Sequence, residues 1–383
     1  MKLHWILLSA WAPGLWAADA ISPEVHAFTS FGWLDTSNNN WLGQSQGGTT
    51  EFWEAAANAS IQPLPTITLS GQLFARDFQR YDNGRVQLDW LYGEWRPRDS
   101  FGLQVGRVKY SFGFYNEIRD VDAARATVFL PISVYPLRAR DLYNATDGGK
   151  IFGLLRLGDA GSLEYATFGG HTNLSESGGF ATFLTESGYG KLSRIDLEAI
   201  YGGMLHWHLP FEGLGARVTA VNLHRLVIEG ETATTRISTV ADPYWTFVNS
   251  LVYDHGPITV AAEASLVYGS TSIEISSLTS NAIISDTQRD DRLGAGYLNA
   301  TWHLPKDVDI TAGCERLWPD YRHLESPQTT RGILAIRWGI TDHWSVKAEY
   351  QRIVGSAGAT RADNPDGIVT PWNLLALKTT VDF

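Results

Sequence analysis

The chain has 383 residues, a formal net charge of −11 at pH 7 and a mean hydropathy of −0.14. The acidic balance argues against a nucleic-acid partner, because proteins that bind nucleic acid are normally basic. The single cysteine excludes an internal disulfide and a cysteine-ligated metal cluster. Past residue 20 no apolar run reaches the roughly 18 residues of a membrane-spanning helix, so the β-barrel is the membrane class that stays open.

The first twenty residues have the pattern of a secretory signal peptide. Lys2 precedes an apolar stretch, a Pro-Gly pair ends that stretch, and Ala18–Ala20 offers a small-x-small cleavage site. The alternative interpretation is a first core strand or helix. We expect residues 1-20 to be removed on export and residues 21-383 to form one barrel domain. The net charge stays at −11, because Lys2 and Asp19 are lost together.

Segments of about ten residues with period-two alternation recur along the mature chain, as is typical of transmembrane strands. Between residues 66 and 76, the apolar Leu69 and Leu73 alternate with the polar Gln72 and Arg76. Such alternation places one set of side chains in lipid and the other in water. Two further stretches repeat the pattern: 193-209 and 375-383.

The connectors between these segments alternate between two sizes. Seven are short turns, and eight are longer loops near 36-49, 79-84, 110-147, 172-191, 229-242, 273-290, 319-328 and 355-370. Fifteen connections predict an all-β, antiparallel barrel of sixteen strands, with short turns on one side and long loops on the other, as in outer-membrane barrels. A β-propeller or a secreted sandwich would also repeat strands. Neither requires strict alternation of connector size or a last alternating strand that ends in Phe383.

Two segments give the chain a family resemblance. The stretch 106-117, Gly-Arg-Val-Lys-Tyr-Ser-Phe-Gly-Phe-Tyr-Asn-Glu, is similar to a pattern in porin-like outer-membrane proteins of little functional characterisation, and the chain closes on Val381-Asp382-Phe383. Over 21-383 the chain resembles the sixteen-stranded porins of Gram-negative bacteria, although the Pro-Glu-Phe-Gly-Gly signature of their third loop is absent. The resemblance implies the cell outer membrane, contact with the lipid bilayer and lipopolysaccharide, and a homotrimer.

The third long loop, 110-147, has 38 residues and an apolar middle. An apolar loop needs a surface to pack against, and long loops are usually functional. The porin resemblance implies that this loop folds into the lumen and narrows it; the alternative is a loop that lies on the rim or caps a neighbouring protomer. The loop charges expected at the constriction are Glu117, Asp120, Asp122, Arg125, Arg138 and Arg140.

Parity places a set of basic side chains on the inner wall that faces this loop: Arg76, Arg85, Arg331, Arg337, Lys347 and Lys378. A basic arc opposite loop carboxylates would set a transverse field that selects solutes by charge. The alternative is that these are simply solvated lumen residues. Arg107 breaks the pattern, because parity places it in lipid at a cost of ~2–4 kcal/mol near the midplane. A bulge at Gly106 is expected to return it to the lumen; the alternative is an interface with another protomer, which would also relieve the cost.

These features predict a channel for passive diffusion of small hydrophilic solutes or ions, without cofactor, chemistry or energy coupling. The alternatives are a receptor or structural barrel without open conductance and, less favoured, an outer-membrane hydrolase. No histidine lies in a recognisable nucleophile motif. His206 and His208 point inward, but two ligands without a third make a weak metal site, so neither a catalytic residue nor a metal is predicted.

The mature chain keeps twelve tryptophans, and many of them fall at predicted strand ends. Tryptophan is enriched where membrane meets water, because its ring is apolar and its N–H is polar. We expect these residues to form two interfacial girdles: Trp41, Trp53, Trp95, Trp207, Trp245, Trp302, Trp318, Trp338, Trp344 and Trp372.

Overall fold

The computed structural model describes residues 22-383, so the expected signal peptide lies outside the described residues. One antiparallel sheet dominates, and it closes on itself because the first strand pairs with the last. Its strands are β1 (Glu24–Thr36), β2 (Phe52–Leu64), β3 (Ile67–Phe78), β4 (Gln87–Arg98), β5 (Phe101–Lys109), β6 (Ala145–Arg156), β7 (Ser162–His171), β8 (Lys191–His208), β9 (Leu214–Glu231), β10 (Thr235–His255), β11 (Ile258–Ser277), β12 (Ile283–Asp291), β13 (Gly294–Leu304), β14 (Val308–Trp318), β15 (Thr329–Thr341), β16 (Trp344–Gly355) and β17 (Trp372–Asp382).

The seventeen strands make sixteen crossings of the barrel wall. β12 pairs with residues 269-276 of β11, and β13 pairs with residues 258-266 of the same strand. Only Arg292 and Leu293 separate β12 from β13, so the two strands together form one interrupted crossing. The predicted sixteen-stranded antiparallel barrel is therefore confirmed.

The connectors define a turn side and a loop side, and two of the predicted loops were wrong in extent. In place of loops at 229-242 and 273-290, the structure leaves only residues 232-234 between β9 and β10, and only 278-282 between β11 and β12. β10 and β11 are 21 and 20 residues long, about twice the length that a membrane crossing needs. The parts of β10 and β11 that extend beyond the membrane meet water on both faces and need no apolar row of side chains. Their polar sequence therefore resembles that of a loop, and the sequence pattern predicted loops there.

The outer face of the barrel is apolar, as the alternation predicts. Leu69 and Leu73 are 45% and 52% exposed, whereas Gln72 and Arg76 are buried on the inner face. A continuous set of exposed aliphatic side chains on an antiparallel barrel is the surface that lipid requires.

The exposed tryptophans collect at the turn side of this belt. Five of them, between 42% and 50% exposed, lie within a few residues of the short turns: Trp95, Trp207, Trp302, Trp338 and Trp344. Trp41 and Trp372 do not belong to a girdle, because both are buried among loop-side residues. The girdle prediction was wrong for these two, since a tryptophan at a strand end can equally fill the interior.

The predicted bulge at Gly106 was also wrong. The pairing of β4 with β5 runs through Gly106 and Arg107 without a shift of register. The irregularity lies on β4, where the pairing with β3 skips Asp89. The guanidinium of Arg107 donates to the carbonyl of Asp89 at 3.2 Å and to the carboxylate of Asp147 at 3.3 Å, and these contacts offset its charge.

Two short helices lie on the loop side, α1 (Arg140–Tyr143) at the end of the third loop and α2 (Gly179–Leu184) in the fourth. No helix among residues 22-383 is long and apolar enough to cross a membrane.

Candidate functional site

The third loop, which in the structure spans residues 110-144, leaves β5 and is fixed first to β11. The backbone N–H of Phe114 donates to Oε1 of Glu263 at 2.9 Å. The other carboxylate oxygen of Glu263 accepts the hydroxyl of Tyr135, farther along the same loop. Glu263 is 3% exposed and points away from the apolar outer face. One wall carboxylate thus holds two distant parts of the loop.

Two more carboxylates on the inner wall bind the loop by its backbone. The N–H groups of Val128 and Phe129 both donate to Oε2 of Glu349 on β16, at 2.7 Å and 3.1 Å. The N–H of Ser133 donates to Oε2 of Glu315 on β14 at 2.9 Å. Charge-assisted hydrogen bonds to backbone N–H groups are about twice as strong as neutral ones, so these contacts fix the path of the loop.

The apolar middle of the loop is buried against the inner face. Val128, Phe129, Val134 and Tyr135 are 1% to 6% exposed. The ring of Phe129 stacks on that of Phe52 from β2 at a centroid distance of 5.5 Å. The burial that these side chains need is thus supplied by the barrel wall itself.

Asp122 is the point where the loop meets the last two strands. Its Oδ2 lies 2.8 Å from Nζ of Lys347 on β16, and its Oδ1 lies 2.8 Å from Nζ of Lys378 on β17. The hydroxyl of Thr380 donates to Oδ2 at 2.7 Å, and Arg125 lies 3.1 Å from Oδ1. Burial alone would raise the pKa of Asp122, but Lys347, Lys378 and Arg125 outweigh it and hold the pKa well below its usual range.

A second buried charge cluster joins the loop to β4. Nη2 of Arg140 lies 2.6 Å from Asp89 and 2.8 Å from Asp120. Nζ of Lys109 lies 2.8 Å from the other oxygen of Asp120. Burial raises the pKa of Asp120, but Arg140 and Lys109 more than compensate and leave it well below its usual range. These charges are therefore neutralised in contact pairs.

The remaining loop residues of the expected set have local partners. Glu117 lies 2.7 Å from Nζ of Lys150 on β6. The guanidinium of Arg138 lies over the ring of Tyr81 at 5.3 Å and the ring of Phe183 at 6.0 Å. Arg138 is thus held by aromatic rings, whereas its neighbours in the loop are held by carboxylates.

Four of the six expected wall bases lie on the inner wall next to the third loop. Besides Lys347 and Lys378, Arg76 donates from Nη2 to the carbonyl of Leu137 at 3.0 Å and pairs with Asp82. Arg331 lies 3.7 Å from Glu315, which itself binds the loop.

The other two expected wall bases lie elsewhere. Arg85 is exposed in the connection before β4 and donates to Oγ of Ser177 at 3.1 Å, so its placement on the inner wall was wrong. Arg337 pairs with Asp309 at 3.2 Å and Asp307 at 3.4 Å, near the turn that joins β13 to β14. Parity gives the face of a strand but not the height along the barrel, which is why it misplaced Arg337. It also does not show where a strand begins, which is why it misplaced Arg85, two residues before β4.

A small cavity remains between the loop and strands β2 and β3. It measures about 30 Å³, room for about two water molecules. Six of its lining residues carry charge: Glu54, Arg76, Arg119, Asp120, Arg125 and Arg140.

The residues that could hold a metal are Glu164, His206 and His208, whose ligand atoms lie within 4.8 Å of one another on the inner wall near the turn side. Oε1 of Glu164 is 2.9 Å from Nε2 of His208, and Oε2 is 3.6 Å from Nδ1 of His206. The sequence interpretation missed Glu164 because it lies on β7, directly opposite His206 in the register. Nη2 of Arg217, 3.2 Å from Nδ1 of His206, places a positive charge beside the group.

No family model and no curated protein matches the chain, but many solved structures do. OmpF of Salmonella typhi in complex with daunomycin superposes with a TM-score of 0.58 at 10% identity, over 95% of this chain and 98% of that one. An anion-selective porin from Comamonas acidovorans gives 0.55 at 8% identity, over 95% and 100%. The trimer form of the outer-membrane protein OmpT from Vibrio cholerae gives 0.53 at 10% identity, over 95% and 100%. At these identities the likeness concerns the fold, and the chain has the fold of the sixteen-stranded outer-membrane porins.

Proposed function

We propose that the chain is an outer-membrane channel for passive diffusion of small hydrophilic solutes, with a passage narrowed by the third loop. The observation that carries this proposal is the fixing of one loop to several walls of a closed barrel: to Glu263 on β11, to Glu349 on β16, and through Asp122 to β17. A loop tied across a barrel sets the width left for solutes, and the charges around it sort them.

The surroundings of the barrel follow from its outer face. The apolar belt and the turn-side girdle are suited to the outer membrane of a Gram-negative bacterium, with the lipid bilayer and lipopolysaccharide as neighbours. We extend the homotrimer to this chain because a porin-type neighbour is described in a trimer form. Native mass of the detergent-purified protein tests the trimer, and a monomer would contradict it.

A specific observation favours a second candidate, a receptor or structural barrel without open conductance. The middle of the third loop is packed into two buried apolar clusters: Val134 and Tyr135 belong to one, and Val128 and Phe129 to the other. The charged cavity beside the loop measures only about 30 Å³. A passage filled in this way would not conduct until the loop moved.

Planar-bilayer recordings separate the two candidates. The channel proposal expects stepwise conductance from the wild-type protein and a larger conductance after deletion of residues 123-137. The barrel should survive the deletion, because residues 123-137 lie outside the strands and take no part in their pairing. If only the deletion variant conducts, the result supports the barrel without open conductance. If the wild-type protein and the deletion variant conduct equally, the third loop does not narrow the passage. Arg85→Gln, on an exposed residue of another loop, is the matched control.

A further inference from the structure

A second, larger cavity lies on the loop side of the barrel, between the third loop, the neighbouring loops and strands β14 and β15. It measures about 220 Å³, and about 150 Å³ is enough for a benzene molecule. Its walls are mostly apolar, and the large apolar side chains come from the first, third and fourth loops: Trp41, Leu42, Ile132, Pro136, Leu137 and Phe183. A cavity with this lining favours an apolar body over a sugar or a hydrated ion.

Three arginines line the cavity, and two of them, Arg138 and Arg331, are more than nine-tenths buried. Arg138 is 8% exposed and Arg331 is 3% exposed. Among the described residues, Nε and Nη2 of Arg138 and Nε and Nη1 of Arg331 have no hydrogen-bond acceptor. A buried donor without an acceptor costs free energy, and a ligand oxygen that reached it would recover that cost.

The charge balance at the cavity favours an anion. Glu315 is the acidic lining residue; one of its oxygens already accepts the N–H of Ser133, and the other lies 3.7 Å from Arg331. Arg138 has cation–π contacts to Tyr81 and Phe183, which orient its guanidinium without using its N–H groups. The lining of the cavity therefore carries more positive than negative charge, and several N–H groups of Arg138 and Arg331 remain without an acceptor within the described part of the chain.

The walls of the cavity are held in place before any ligand arrives. The indole N–H of Trp41 donates to the carbonyl of Ala357 in the eighth loop at 3.1 Å. The side chain of Asn39 exchanges two hydrogen bonds with the backbone of Val369, at 2.7 Å and 2.9 Å. The first and eighth loops are thus joined by hydrogen bonds on this side of the cavity. A pocket whose walls are already ordered loses less conformational entropy when a ligand binds.

We propose that this cavity binds a small organic monocarboxylate: a carboxylate on an apolar body about the size of one aromatic ring. The planar guanidinium fork matches a carboxylate in two parallel hydrogen bonds. The apolar walls contact the remainder of the ligand, so a second charged group on that part would be desolvated without a partner. The inference goes beyond the channel proposal, because binding at this site does not require conductance.

Isothermal titration of the detergent-purified barrel with three probes tests the proposal, with empty micelles as the blank. Benzoate carries both features, benzamide keeps the ring without the charge, and acetate keeps the charge without the ring. We expect benzoate to bind at least tenfold more tightly than either of the others. Equal binding of benzamide would show that the arginines play no part, and equal binding of acetate would show the same of the apolar walls; either result overturns the proposal. These comparisons use the wild-type protein and do not depend on the folding of a variant.

Substitutions then assign the carboxylate contact. Arg138→Gln should weaken benzoate binding by roughly tenfold or more, because a charge-assisted pair is lost. Arg138→Lys should keep part of the affinity, and Arg85→Gln should keep all of it. Unchanged benzoate affinity in Arg138→Gln, with migration on a gel still heat-modifiable, would overturn the assignment. A barrel that binds benzoate but does not conduct refutes only the channel, whereas one that conducts but does not bind benzoate refutes only this inference.

Discussion

Nζ of Lys347 lies 2.8 Å from Oδ2 of Asp122, so a side chain of β16 and one of the third loop form an ion pair of which each member is 1% exposed. Lys378 on β17 makes the equivalent contact to the other oxygen of Asp122. Asp122 precedes Lys347 by 225 residues and Lys378 by 256 residues in the chain. The final position of the loop therefore depends on β16 and on β17, the strand whose pairing with β1 closes the barrel.

Removing the charge of Asp122 should release the loop without unfolding the barrel. Asp122→Asn leaves the buried ammonium group of Lys347 without its carboxylate partner, whereas Lys378 keeps Glu54 at 2.6 Å. Breaking a buried pair in this way costs about 3–5 kcal/mol. We expect larger current fluctuations in single-channel recordings and unchanged heat-modifiable migration. Asp196→Asn is the control, because its pair with Arg194 is about half exposed and such pairs contribute little. Quiet, wild-type currents from Asp122→Asn would contradict the anchoring role.

The carboxylate of Glu349 should protect the middle of the loop from solvent. Glu349→Ala leaves the N–H groups of Val128 and Phe129 without their acceptor, whereas Glu349→Gln keeps one acceptor oxygen in nearly the same volume. Hydrogen exchange at these two N–H groups is expected to be fastest in the alanine variant and intermediate in the glutamine variant. Equal exchange in all three proteins would mean that the apolar packing alone holds the segment.

The contact between the third and fourth loops should weaken as pH rises through about 6. Burial, with a further contribution from the charge of Asp82, raises the pKa of Asp141 to about 6, although the N–H of Phe180 partly stabilises the carboxylate. Because this pKa lies above the value of ~3.9 for an unfolded aspartate, the folded state binds the proton more tightly. The contact is then strongest below pH ~4 and loses stability between pH 4 and 6.

Hydrogen exchange at Phe180 as a function of pH, corrected for the intrinsic rate, measures this loss. Asp141→Asn removes the titrating group while keeping a similar shape, so its corrected exchange should stay flat across the same pH range. The same pH dependence in the wild-type protein and in the variant would assign the effect to another group.

Gly106 should be difficult to replace, although it lies within a strand. Its φ of +133° favours glycine, and a Cβ would lie 2.4 Å from the carbonyl oxygen of Leu91. Gly106→Ala should therefore destabilise the folded barrel by on the order of 1–3 kcal/mol in urea titrations followed by gel migration. Gly332→Ala is the matched strand control, because a Cβ there meets nothing within 4 Å. Equal stability of the two variants would contradict this account.

The sequence contains enough to count the strands but not to place every side chain along them. Alternation fixes which face Arg76 and Leu73 occupy, because lipid and water make opposite demands on the two faces. It does not fix height, and for that reason Arg337 was grouped with Lys347 although it lies near a turn. The polar ends of β10 and β11 were read as loops, since a strand beyond the membrane needs no apolar row.

The pairings inside the barrel were the least accessible to sequence reasoning. Asp122, Lys347 and Lys378 were each expected near the constriction, but facing one another across water and not in contact. Glu164 was missed beside His206, although pairing the inward faces of neighbouring strands would have found it. Contacts between residues far apart in the chain follow from register, which one sequence does not supply.

Among the described strands, the interruption between β12 and β13 leaves one edge of β12 unpaired. Within residues 22-383, β12 pairs with β11 alone, and β14 pairs with β13 and β15 but not with β12. Unpaired N–H and C=O groups along 283-291 are a template onto which another chain could add a strand. Asp286, Arg289 and Asp290 lie on that edge, and charged side chains on an edge strand oppose the addition of another strand. The protein can therefore extend a hairpin beyond its wall and still resist edge-to-edge aggregation.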